Sequence, residues 1–381
     1  MKLNKLFNDF FESEKSTGII LVFVTAVSLF FANSGWQAEY LAFWNYPVGS
    51  HSIVGWINDG LMAIFFLLIG LELEREIYNG ELSNPKNAAL PIFGAVGGMV
   101  IPAAIFLIFN YGTDTQNGAG IPMATDIAFA VGILSLIGNR VPASLKVFLL
   151  ALAIIDDLGA IIVIAVFYTK TVLITNLFIA LGIWILLFIL NRMKVFNLIP
   201  YLIGGGFMWY FMLHSGIHAT ITGVILAFVI PFGNGSEKSS SYILQRSLHY
   251  PVAFIILPLF AAANTCIPIA DTWQQSLSDH TSLGIIAGLV IGKPLGIWLF
   301  AIIASVLGLC ALPGDIKWKH IIGVGFLGGI GFTMSIFITL LAFEDQLLID
   351  NAKISILMAS IIAGIIGFII LALSFRREKS R

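Results

Sequence analysis

What the chain lacks most is charge. Only 41 of its 381 residues are Lys, Arg, Asp or Glu, 11% of the total, against about 25% in ordinary soluble domains. So few charges cannot cover a water-soluble fold of this size. Cysteine is nearly missing as well: Cys266 and Cys310 lie singly in or beside apolar runs, which leaves no disulfide framework and no cysteine metal site. Nucleotide-driven chemistry has no foothold, because Gly292-Lys293 continues into Pro294 instead of forming a P-loop. His214, Ser215 and His218 stand close together but without a Gly-x-Ser-x-Gly elbow, and no Gly-x-Gly-Asp surrounds an aspartate. A net charge of −1 provides no footprint for nucleic acid. Long polar stretches are absent too, so no loop can hold a soluble domain. What is abundant is apolar surface, 58% of the residues.

A spanning helix consumes about 20 apolar residues. Read with a helical window, the chain is expected to be an all-α polytopic membrane protein of about 12 transmembrane helices, falling roughly at 17–33, 54–71, 87–111, 119–139, 143–169, 172–191, 198–213, 215–231, 249–268, 283–307, 318–343 and 354–375. With the N-terminus inside, 17 basic residues fall on inner segments, only Lys170 and Lys353 on outer ones, and Lys293 within a span. That asymmetry predicts cytoplasmic termini. Residues 1–16 read as a separate interfacial helix, with Leu3, Leu6, Phe7, Phe10 and Phe11 on one stripe. Residues 17–375 form a single transmembrane domain, and 376–381 a basic cytoplasmic tail.

A charge at mid-bilayer costs at least about 2.5–3.5 kcal/mol on insertion scales, so each one requires a reason. Asp126, Asp156, Asp157 and Lys293 fall at central depths, whereas Asp59 lies about one turn below the outer surface. Adjacent residues on a helix point about 100° apart, so Asp156 and Asp157 can face one cavity or two environments. A pair of carboxylates able to hold either a cation or a proton is the simplest exchanger; acids tied up permanently by Lys293 and backbone amides are the bland alternative. Lys293 is expected to pair with Asp126 or Asp156.

Two spans are interrupted. In Gly118-Ala119-Gly120-Ile121-Pro122-Met123-Ala124-Thr125-Asp126 the proline removes a donor, and Thr125 and Asp126 are residue types that cap a restarting helix. The span near 318–343 carries Gly325, Gly328, Gly329 and Gly331, then Thr333 and Ser335. These discontinuous helices, near 119–139 and 318–343, are the middle members of trios 87–169 and 283–375, which run oppositely through the membrane. Interrupted segments at matching places in an inverted-topology repeat point to a transporter binding site; glycines that merely permit tight packing are the alternative.

Together these residues resemble the NhaA family of bacterial sodium/proton antiporters. The likeness lies in Thr125-Asp126-Ile127-Ala128-Phe129-Ala130, Ala153-Ile154-Ile155-Asp156-Asp157-Leu158-Gly159-Ala160, Gly292-Lys293-Pro294-Leu295-Gly296 and Gly331-Phe332-Thr333-Met334-Ser335, joined by Leu257-Pro258-Leu259-Phe260, Ala263-Asn264 and Gly70-Leu71-Glu72 with Arg75-Glu76. It covers about residues 10–375 in the family's order. The resemblance implies that Asp157 is the main sodium or lithium ligand, with Asp156 beside it as ligand or proton carrier and Thr125 near the ion. It implies charge compensation by Asp126 and Lys293, with Lys293 paired to Asp156. It also implies electrogenic exchange activated at alkaline pH, a homodimer, and a place in the bacterial inner membrane. Glu72, Arg75 and Glu76 match a pH-responsive cluster and His218 and His249 fall at family histidine positions, but Gln245 and Arg246 stand where an acid and a histidine are typical.

The expected function is therefore sodium(lithium)/proton antiport by alternating access, serving pH and sodium homeostasis, with no cofactor and no enzymatic activity. Its partners are inorganic cations, protons and membrane lipid. The alternative is a sodium-coupled organic-anion symporter of related architecture, which would need an anion site; no Arg lies within a span to form one.

Overall fold

The computed structural model describes residues 2–168, 172–233, 235–269, 274 and 277–378, without the side chains of 2–14, 86, 139, 377 and 378. The stripe from Leu3 to Phe11, Lys170 and the end of the basic tail thus lie outside the described side chains. The first helix runs unbroken from Lys2 to Ala32, so one helix covers both the N-terminal segment and the first span.

Among the described residues, nine helices are long and apolar enough to cross a membrane, or ten when the bent pair Trp318–Gly328 and Phe332–Ala342 counts as one span. Long helices are the expected form, because a helix satisfies its own backbone where no water can. Two of the twelve expected segments fall short. Ile199–Leu213 has 15 residues, and the segment expected at 215–231 holds only the seven-residue helix Ile221–Ala227 between turns. Protein covers this short helix: Trp184 Nε1 donates to the Ile225 carbonyl and Asn191 Nδ2 to the Val229 carbonyl. Irregular backbone is tolerated at such depth when protein supplies the partners.

The chain divides into two compact units. One comprises Met1–Gln37, Asn84–Ala160 and Asn264–Arg381; the other comprises Ala38–Ser83 and Ile161–Ala263. In the first unit the helix Pro85–Asn110 packs closely on Lys293–Val306. Gly292 permits the approach, since a Cβ there would stand 2.9 Å from Pro102 Cα. In the second unit, Leu67, Leu71, Tyr201, Met208 and Leu226 belong to one buried core. The helix Ile174–Arg192 of that unit buries only Ala180 and Leu187, leaving most of its apolar residues facing outward, as lipid contact requires.

Candidate ion site

Both expected breaks are present. The first span runs as a 3₁₀ segment Gln116–Met123, passes through extended residues, and restarts as Ile127–Leu136. The second bends by 48° between Gly328 and Phe332. The breaks meet in the first unit. The Asp126 N–H donates to the Ile330 carbonyl at 2.7 Å, and the Ser335 hydroxyl to the Ile121 carbonyl at 2.7 Å.

Asp126 serves both restarting helices. It is the N-cap of Ile127–Leu136, where its Oδ1 accepts from Phe129 N at 3.1 Å. Its Oδ2 accepts from Thr333 N at 3.0 Å and from the Thr333 hydroxyl, at the start of Phe332–Ala342. One carboxylate thus sits at two positive helix ends, so the two segments run oppositely through the crossing. Ser360, which no sequence pattern singled out, accepts from Phe332 N at 3.2 Å and secures the same helix start.

The C-terminal end of the 3₁₀ segment meets the opposite charge. Lys293, fully buried, donates to the Met123 carbonyl and makes a 2.7 Å ion pair with Asp156 Oδ2. Of the two expected partners, the structure selects Asp156; Asp126 is committed to the helix starts. Thr125 does not cap the restarting helix. Its hydroxyl lies 2.7 Å from Asp156 Oδ2 and 2.8 Å from the Gly328 carbonyl. With one proton, it donates to one of these at a time.

Asp156 and Asp157 stand on Ala143–Phe167, both buried. Asp156 Oδ1 has no hydrogen-bond partner among the described residues. The charge of Asp157 also acts on Lys293. The cluster therefore offers two carboxyl groups and a hydroxyl, all hard oxygen donors, beside the Lys293 ammonium. The importance of the Asp126 crossing can be measured. Thr333→Val removes one of Asp126's donors inside a buried site and is expected to cost about 1–3 kcal/mol, read as a lower melting temperature in detergent, with Thr333→Ser close to the parent.

The residues expected to respond to pH lie in the second unit. Gln245 donates a side-chain hydrogen bond to Glu72, so the residue that replaces the typical acid binds the acid across from it. The Arg75 guanidinium lies 5.1 Å from the Tyr242 ring centroid. Glu76 Oε2 accepts from Glu81 N at 3.1 Å, closing the helix end locally. His218 Nε2 donates to the Tyr168 carbonyl at 2.8 Å, and the His249 ring lies edge-on to Tyr250. Asp59 falls in a π turn, Ile57–Leu61, where its carbonyl accepts from Trp209 Nε1 at 3.0 Å.

Two buried charges escaped the sequence reading. Glu74 is 4% exposed, and its Oε2 lacks a hydrogen-bond partner among the described residues. Lys353, counted among outer residues, is buried in Gln346–Glu378 one turn from Asp350. Neither departs from the amphipathic pattern of a helix end, so no local signal separates them from solvated neighbours.

Lipid-facing helices and a crossing of two broken spans over buried, oppositely charged groups define a polytopic membrane protein of the broken-helix transporter class. The family model described as Na+/H+ antiporter 1 matches residues 8–371. The chain is 70% identical over 371 residues to Na(+)/H(+) antiporter NhaA 1 of Flavobacterium johnsoniae, covering 97% of each chain. It is 66% identical over 368 residues to the NhaA of Flavobacterium psychrophilum, covering 97% of this chain and 96% of that one. With the NhaA of Cytophaga hutchinsonii it shares 60% identity over 380 residues, covering 100% and 98%. The chain belongs to the NhaA family of Na+/H+ antiporters.

Proposed function

We propose that this protein exchanges sodium or lithium for protons across the bacterial cytoplasmic membrane by alternating access, with cation and proton competing for Asp156 and Asp157. The observation that carries this reading is Asp156 Oδ1, a buried carboxylate oxygen without a hydrogen-bond partner among the described residues. A buried acceptor left in that condition costs about 1–3 kcal/mol or more. A proton or a hard cation relieves that cost, and Asp157 and Thr125 supply further oxygens for the cation. Oxygen ligands suit hard cations, and the ions are cargo, so no resident cofactor is required.

A cation entering at Asp156 and Asp157 expels the proton held by Asp157 and displaces the Lys293 ammonium, which gives up its own proton as the pair opens. The return passage reloads protons on Asp157 and on the Lys293–Asp156 pair. Two proton carriers against one cation make the exchange electrogenic. The distribution of Lys and Arg supports cytoplasmic termini, and the family resemblance supports a homodimer and activation at alkaline pH.

In proteoliposomes, external sodium is expected to dissipate a preformed pH gradient without any organic solute. The KM for sodium should rise about tenfold per unit fall in pH for each proton displaced. A KM independent of pH would refute competition at one site, and a requirement for an organic anion would indicate symport instead.

A further inference from the structure

The helical stretch that carries Lys293 is not uniform. Between His280–Ala287 and Lys293–Val306 the backbone widens into a π turn, Gly288–Gly292, in which the Lys293 N–H donates to the Gly288 carbonyl five residues back. A π turn inserts one residue and rotates everything beyond it, a device common at functional sites. Gly288 is buried against the end of the first broken span. A Cβ on it would stand 2.7 Å from Pro122 Cβ and 3.0 Å from Pro122 Cγ. The next residue after Pro122 is Met123, whose carbonyl receives the Lys293 ammonium. A closed circuit results: the Lys293 amide holds Gly288, Gly288 seats Pro122, and the Met123 carbonyl returns to the Lys293 side chain.

We propose that Gly288 is a positioning residue for the exchange: its missing side chain seats Pro122 on the π turn and so places the Met123 carbonyl where it shares the Lys293 ammonium with Asp156. This rests on the exchange reading above. The geometry gives the sign of the effect. A cation that binds Asp156 must displace the ammonium, and an ammonium with a second acceptor already in place leaves more readily. A methyl group at position 288 forces Pro122, and Met123 with it, away from the helix that bears Lys293. The ammonium then rests on Asp156 alone, and the cation competes against an undivided ion pair. Cation binding weakens, while the conformational passage of the loaded site is left as it was.

The test is a double-mutant cycle at one fixed pH in proteoliposomes, comparing the parent with G288A, P122G and G288A/P122G. G288A is expected to raise the KM for sodium roughly three- to tenfold with little change in maximal rate. P122G, which removes the Pro122 Cβ and ring without adding a side chain, should raise it less. In the double variant the new methyl occupies the space left by the whole Pro122 side chain, its Cβ included, so the KM should return toward the parent value, a clear departure from additivity. A purely structural role would lower the yield of folded protein and the maximal rate, without a rise in KM that the second substitution reverses. A parent-like KM in G288A, or single-variant effects that simply multiply in the double, overturns the proposal. Should G288A fail to fold, the double variant decides alone: a near-parent KM supports the proposal and a raised one overturns it. A parent protein that exchanges no sodium for protons would instead defeat the exchange reading, and this inference with it.

Discussion

Asp157→Asn is expected to abolish sodium- and lithium-dependent proton exchange while the protein remains folded. The amide keeps the size of the side chain but cannot carry a negative charge or deliver a proton, so both halves of the cycle lose the same group. A loss of at least about 100-fold corresponds to roughly 2.7 kcal/mol, a modest demand on a residue proposed both to ligate the cation and to carry the proton. Stability should hold, because an amide in place of a buried carboxylate lowers the burden of desolvation. The measurement is the collapse of a pH gradient on addition of sodium or lithium to proteoliposomes, with a melting curve on the same preparation. Exchange at the parental rate in this variant would remove Asp157 from the centre of the mechanism.

The second large effect is expected on stability. Lys293→Ala takes the ammonium from the Met123 carbonyl and from Asp156 Oδ2 together. Removing one partner of a buried ion pair leaves the other charge without compensation, at a cost of about 3–5 kcal/mol. A pronounced fall in melting temperature should therefore accompany the loss of exchange. Adding Asp156→Asn should recover part of the stability but none of the transport, since the residual buried charge is then gone. Unchanged melting in Lys293→Ala would mean that the pair contributes nothing net to the fold. The two substitutions thus separate the roles assigned here: Asp157 binds cargo, whereas Lys293 both balances the site and yields to the cation.

The charge at mid-membrane made the site visible in the sequence. Hydrocarbon tolerates so few ionised groups that Asp126, Asp156, Asp157 and Lys293 stand out without any alignment, and Pro122 with the Gly325–Gly331 run marks the two breaks for the same reason. The membrane is a stringent solvent, and each departure from apolar helix is legible against it. Near the ends of the helices that contrast disappears. Glu74 and Lys353 resemble solvated residues, and only packing reveals that they are buried. Likewise the segment 215–231 is apolar enough to suggest a full span, yet forms a seven-residue helix because neighbouring side chains satisfy its backbone.

The geometry of pairing belongs to the tertiary structure. Depth along a helix follows from counting residues, so the count brought three carboxyl groups and one lysine to a common level without choosing between Asp126 and Asp156, and only the family resemblance pointed to Asp156. The choice depends on direction around the helix axis and on what the crossing chain presents there. Asp126 is taken by the amides of Phe129 and Thr333, leaving Asp156 for Lys293. The π turn that orients Lys293 is equally silent in the sequence, since Gly288-Leu289-Val290-Ile291-Gly292 is apolar in any helical register. The scarcity of charge determined by itself that this is a membrane protein and which four charged residues lie at its centre. Their division into a capping acid, an ion pair and a neighbouring carboxylate was decided by geometry, because charge interactions depend on distance in three dimensions and composition carries no angles.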